Sequence, residues 1–342
     1  MTENTERPQE SRQDRIGSID FLKVIGLLGI ITAHTGPPEW MIMLRCFDVP
    51  LMVILSAMLG ERSYMRKLST AGALRTYYAS RFKRLVIPTW LFLVLYFTLS
   101  WIMNGECNSF RYYLDSFLLT RYGIAYVWVI LVYLYSALLI PLFCRWKLSW
   151  QGFAAVAAAY ALYELMYHLG IGKDCRLVDM TLFYLVPYGL LTWLGCNYRH
   201  MPKRLRLGVM AGSLMLFAGL AVYGRVTGGA WVSVQDMKYP PRLYFLAYGA
   251  GCSFALLAFC ERVPLRLYRH PAIRYISEHS MWIYLWHILM LKIYEKLKLP
   301  EIWYLKLAAV VLAAVFTVMC VNCCLDAVEK RKKISCLRWL RG

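Results

Sequence analysis

Read for hydrophobicity alone, the chain alternates between long apolar runs and shorter polar stretches. Apolar runs of spanning length fall at 16–35, 41–60, 85–103, 125–143, 152–170, 181–198, 205–223, 242–260, 277–294 and 303–325. Each reaches the roughly 20 residues that carry an α-helix across a bilayer core. The pattern therefore predicts an all-α, polytopic integral membrane bundle of about ten transmembrane helices. Residues 1–15 form a polar N-terminal tail, 16–325 one membrane domain, and 326–342 a basic C-terminal tail. No internal repeat and no appended soluble domain breaks the pattern.

Composition supports this class. Of 342 residues, 59% are hydrophobic and 17% charged, and the mean hydropathy is +0.46. A net charge of +19 would point to nucleic acid in a soluble protein, but in a chain this apolar the position of the charge decides. The Lys and Arg residues gather in alternate connections, with seven in residues 61–84 and six after residue 325. The positive-inside rule then puts both termini in the cytoplasm and the protein, multi-pass, in the cell membrane. The lipid bilayer is the expected partner, and nucleic acid is not. The Lys330-Arg331-Lys332-Lys333 run is read as a stop-transfer anchor or anionic-lipid contact. The eleven cysteines do not form the two spaced pairs of a metal site, and Cys252, Cys260, Cys320, Cys323 and Cys324 lie inside apolar runs, where cysteine behaves as a small hydrophobe. The six histidines form neither HExxH nor HxxxH. No metal site is expected.

Candidate chemistry comes from polar residues inside apolar runs. The first run, IGSIDFLKVIGLLGIITAHT, holds Asp20, Lys23 and His34, and a charge at bilayer depth costs roughly 2.5–3.5 kcal/mol unless compensated. Asp20 and Lys23 are helical neighbours at i and i+3. The eleven residues from Lys23 to His34 return to nearly one helix face with a rise of about 16 Å. The same residues also fit a plain intrahelical ion pair with an interfacial histidine. Arg81-Phe82-Lys83-Arg84 ends the longest cytoplasmic loop, residues 61–84. It reads either as juxtamembrane charge or as a phosphate clamp, because guanidinium groups bind phosphate in two-pronged fashion. The outer loop at 224–241 carries Trp231, Tyr239 and Pro240-Pro241; its aromatics suit sugar stacking as well as an interfacial belt. Glu164 with His168, and Tyr284 with His287, have helical spacing and fit interhelical hydrogen bonds. His287 lies deeper in its run than His34.

Four ordered motifs agree with one family. A basic residue and a histidine with ten residues between them are Lys23 and His34. A pattern of the type fDVPlFfvlSG is met by Phe47-Asp48-Val49-Pro50-Leu51 through Leu55-Ser56. An RxxR before Leu-x-x-Pro is Arg81 to Pro88, and Ser280, Ile283-Tyr284 and His287 follow near the C-terminus. Across its whole length the sequence resembles the membrane-bound acyltransferase family 3. Two positions depart from the pattern. Ala57 stands where the family often has Gly, a mild change unless the backbone needs φ > 0 there. Lys23 replaces the commoner Arg, keeping the charge and losing the planar fork.

The resemblance implies transfer of an acyl group, usually acetyl, from cytoplasmic acyl-coenzyme A to a carbohydrate or cell-surface glycan hydroxyl at the outer face. No cofactor is permanently held; acyl-CoA is a substrate. His34 is the expected base, with Asp20 and Lys23 ordering the polar interior of the first helix. Arg81 and Arg84 are expected on the CoA phosphates, and Asp48, Ser56, Tyr239, Tyr284 and His287 in support or on the acceptor side. An ion-coupled transporter is the competing class, since intramembrane Asp20, Lys23, His34 and Glu164 also suit a carrier.

Overall fold

The computed structural model describes residues 7–105, 107–146, 148–263 and 266–332. Residues 1–6 of the polar tail and 333–342 of the basic tail lie outside the described residues, as do the side chains of Lys330, Arg331 and Lys332. Among the described residues ten long helices carry the chain: α1 (Arg7–Thr32), α2 (Asp48–Met65), α3 (Ala73–Asn104), α4 (Trp128–Arg145), α5 (Trp150–His168), α6 (Leu182–Asn197), α7 (Lys203–Gly228), α8 (Leu243–Arg262), α9 (Ser280–Lys296) and α10 (Trp303–Lys332). Among the described residues there is no strand, and seven helices are long and apolar enough to cross a membrane. α1, α5 and α9 fall outside that group. α1 carries Asp20 and Lys23 in its apolar stretch, α5 carries Glu164, and α9 has only 17 residues.

Two expected boundaries move. The segment 61–84, expected as a loop, is mostly helix, because α2 continues to Met65 and α3 begins at Ala73. Arg, Lys, Leu and Ala are good helix formers in water as in lipid. Gly72, at φ 72°, supplies the left-handed turn between the two helices. The first apolar run stops being α-helical at Thr32, before His34. Gly36 is left-handed at φ 72°, and Pro37 and Pro38 have no amide hydrogen to continue the ladder. The chain tightens instead, with His34 N donating to Ile31 O at 2.9 Å and Thr35 N to Thr32 O at 3.1 Å. His34 thus sits on a closing turn rather than on the Lys23 stripe.

The chain divides into two compact units, residues 1–52 with 251–342, and residues 53–250. In the first, α1 packs against the short helix Pro271–Glu278, the 3₁₀ turn Arg266–Arg269, α9 and α10, while α9 lies along α10. Small residues on α1 allow the close approach. A Cβ at Gly17 would come within 2.8 Å of Tyr268 O, and one at Gly29 within 2.9 Å of Asp48 Cβ.

In the second unit, α4 packs on α3 and α6, and α5 covers α6. α6 meets the later part of α2 at Gly195, where a Cβ would lie 2.6 Å from Ile54 O and 2.7 Å from Ala57 Cβ. Ala57 is inside a continuous helix and buried, so no φ > 0 is needed there, and its methyl fills space that Gly195 leaves. Two groups of side chains in this unit gather at opposite ends of α4. Near Ile140 gather Gly60, Tyr77 and Arg81; near Trp128 gather Tyr184 and Tyr239. Trp128 and Ile140 are separated by about 18 Å of helical rise.

Candidate active site

The first unit brings together most of the polar residues of the first run. Ser277, fully buried on the helix Pro271–Glu278, is the junction. Its hydroxyl donates to Asp20 Oδ1 at 2.6 Å and accepts from Lys23 Nζ at 2.8 Å, while its carbonyl oxygen also accepts from Lys23 Nζ at 2.6 Å. Asp20 and Lys23 are half-buried. The hydroxyl donates to one charge and accepts from the other, so it links the two ionised groups that lipid would penalise. Ser280 opens α9, and the hydroxyl that reaches α1 is that of Ser277, which the motifs did not single out.

At its other end α1 delivers His34 to α9. The His34 and His287 rings stack with centroids 5.7 Å apart and planes at 27°. His287 is fully buried, and its Nδ1 is hydrogen-bonded to the Tyr284 carbonyl. A carbonyl only accepts, so Nδ1 carries the proton and Nε2 of the neutral ring is left as the acceptor. Tyr284 also lies 4.9 Å from His287, ring to ring. The tight i to i+3 spacing of Tyr284 and His287 fixes the inner imidazole, and that imidazole supports half-buried His34.

Asp48, of the second motif, is buried with both carboxylate oxygens engaged. Oδ2 accepts from Arg45 NH1 at 2.7 Å and Oδ1 from Val49 N at 2.6 Å. Arg45 is itself buried, so the pair is an internal clasp beneath Gly29. The i, i+3 spacing of an intramembrane Arg and Asp was the available signal for it.

The second unit holds the rest. Arg81 is half-buried with its guanidinium carbon 5.3 Å from the centre of the Tyr77 ring. Arg84 is exposed one turn further along α3. Pro88 lacks an amide hydrogen, which deprives the Arg84 carbonyl of its i+4 donor. Ser56 is half-buried on α2. Glu164 accepts from Tyr160 OH at 2.7 Å, Leu243 N at 3.1 Å and Arg242 Nε at 2.8 Å, while Arg242 NH2 lies 3.0 Å from His168 Nε2. That network ties α5 to the start of α8 and matches the interhelical role expected of Glu164 and His168. Tyr239 is 38% exposed and sits edge-on to Trp128, at 5.3 Å.

The arrangement offers a paired imidazole at the end of one helix, a charge relay further along it, and a separate arginine pair on α3. The family model of acyltransferase family 3, described as an acyltransferase domain, matches residues 16–326. Comparison with curated proteins and with solved structures gives no match. The family match spans nearly the whole chain, from the first apolar run to the end of the tenth, and with it the paired histidines and both arginines have a common context: the chain belongs to acyltransferase family 3 and is a membrane acyltransferase.

Proposed function

We propose that the protein moves an acyl group, acetyl foremost, from cytoplasmic acyl-CoA to a hydroxyl of an extracytoplasmic carbohydrate, with His34 as general base. Both termini are cytoplasmic in this reading, and the protein is a multi-pass protein of the cell membrane. The observation that carries it is the stacked His34 and His287 pair, in which the Tyr284 carbonyl fixes the inner ring. A base oriented by a second group is the arrangement that activates a weak oxygen nucleophile.

His34 takes the acceptor hydroxyl proton as the oxygen attacks the thioester carbonyl. The new C–O bond forms, the C–S bond breaks, and the proton passes to the departing CoA thiolate. Burial of the partner ring helps keep water from hydrolysing the thioester. Arg81 and Arg84 take the anionic nucleotide end of the donor, since neither forms an ion pair among the described residues and an RxxR pair one turn apart matches a diphosphate. Lys23 and Asp20, locked through Ser277, hold the first helix in register.

His34→Ala tests the assignment. Acyl transfer from radiolabelled acetyl-CoA to membrane glycans should fall to background, while membrane insertion and the unfolding midpoint stay as in the parent. Retention of most of the turnover would remove His34 as the base.

A further inference from the structure

Three connections of the second unit, around residues 107–127, 169–181 and 229–242, close over the N-terminal end of α4. Arg121 NH2 and Tyr122 OH both donate to Asp179 Oδ2, at 2.8 and 2.7 Å. Arg176 pairs with Asp115 and lies 4.0 Å from the Tyr122 ring centre. Trp128 is edge-on to Tyr184 at 5.7 Å and to Tyr239 at 5.3 Å. Burial acts to lower the Arg121 pKa, but Tyr184, Tyr122 and Asp179 outweigh it and hold the guanidinium above its ordinary value.

Two groups in this cluster are incomplete. Lys238 is only 3% exposed. Its ammonium sits 5.6 Å from the Trp128 ring centre and 5.5 Å from that of Tyr239, and no carboxylate among the described residues lies within ion-pair distance. Removing an ammonium from water is costly, and cation–π contact returns only part of that cost. The Tyr184 hydroxyl is buried with no hydrogen-bond partner among the described residues, and it lies within electrostatic reach of Arg121, Tyr239, Asp179 and Tyr122. A buried cation without an anion and a buried hydroxyl without a partner, beside the exposed rings of Tyr239 and Tyr122, call for a ligand with negative charge, hydroxyls and an apolar ring face.

We infer that this cluster is a binding site for an anionic sugar, carboxylate- or phosphate-bearing, whose charge meets Lys238 and whose ring stacks on Tyr239. Calling that sugar the acyl acceptor rests on the proposed function; the site itself does not. The ammonium is a point charge, so either anion satisfies it. The Tyr239 ring offers an apolar face with a polar hydroxyl at its edge, which suits the C–H face of a sugar ring.

The test is binding by saturation-transfer NMR to the full chain in neutral-lipid nanodiscs, with methyl β-glucuronide, glucose 1-phosphate and methyl β-glucoside as probes. At least one anionic probe should bind about tenfold more tightly than the glucoside, and which one does so identifies the anion. Lys238→Met should bring all three within about twofold of one another, and Lys238→Arg, which keeps the charge, should retain the preference. Tyr184→Phe should weaken the anionic probe without lowering the unfolding midpoint, because the lost hydroxyl has no partner to leave behind. Equal binding of the three probes to the parent, or a preference that survives Lys238→Met, overturns the inference. Thermal stabilisation by coenzyme A, measured on the same samples, reports the donor side separately. Its absence alongside an intact anionic preference would sink the proposed function and leave this site standing.

Discussion

Ser277→Ala removes one oxygen from the junction that holds α1 against the helix Pro271–Glu278, and its sign separates two views of that junction. If the hydroxyl were idle, the variant would be neutral or stabilised by about 0.5 kcal/mol, since Ala is the better helix former. If it bridges, the chain loses a donor to Asp20 at 2.6 Å and an acceptor for Lys23 at 2.8 Å, while Lys23 keeps the Ser277 carbonyl at 2.6 Å. Hydrogen bonds to charged groups contribute about 1.5–3 kcal/mol each. Water reaches the half-buried partners and recovers part of that, and Lys23 recovers part through the carbonyl, so the expected net loss is about 2–3 kcal/mol. The assay is reversible unfolding of the purified protein in mixed micelles, run as a double-mutant cycle with Asp20→Asn. A coupling of about 1–2 kcal/mol is expected between the two sites. A loss under about 0.5 kcal/mol, or strict additivity with Asp20→Asn, would refute the bridge.

Two further outcomes follow from contacts in the second unit. Arg84→Ala should raise the apparent KM for acetyl-CoA by about tenfold or more, with kcat little changed, because the lost contact is to a non-reacting part of the donor; a collapse of kcat at constant KM in initial-rate measurements would contradict a phosphate role. Gly195→Ala should destabilise by about 1–3 kcal/mol through overpacking, since its Cβ meets Ile54 O at 2.6 Å and Ala57 Cβ at 2.7 Å. Adding Ala57→Gly should restore only part of that loss in the same unfolding assay, as the Ile54 carbonyl stays in place; full restoration would mean that the helix crossing is set elsewhere.

What the sequence disclosed and what it hid divide along a physical line. Hydropathy reports how much of a helix lipid can cover, so all ten apolar runs correspond to long helices. It is blind to where a helix ends in water, which is why the 61–84 segment reads as a loop although α2 and α3 occupy most of it. Spacing exposes partners within one helix, as with Tyr284 and His287, and hides partners brought by folding. Ser277 lies 254 residues from Lys23, in a short helix whose serine has nothing unusual about it locally. Lys238 is the sharpest case, since a lysine in a loop reads as solvated, and only the closure of three connections over Trp128 buries it.

The same distinction bears on the motifs. Asp48 looks chemical in sequence, an acid inside an apolar run. With Oδ2 held by Arg45 and Oδ1 by its own helix N-terminus, and with Gly29 pressed against its Cβ, both of its oxygens are engaged and it clasps Arg45 to the start of α2. His34 differs in kind: it is half-buried, stands just past a helix end, and is backed by a ring whose tautomer is set by a carbonyl. A group that must exchange a proton with a substrate needs access and a fixed neighbour together, and among the first-unit motif residues that combination belongs to His34.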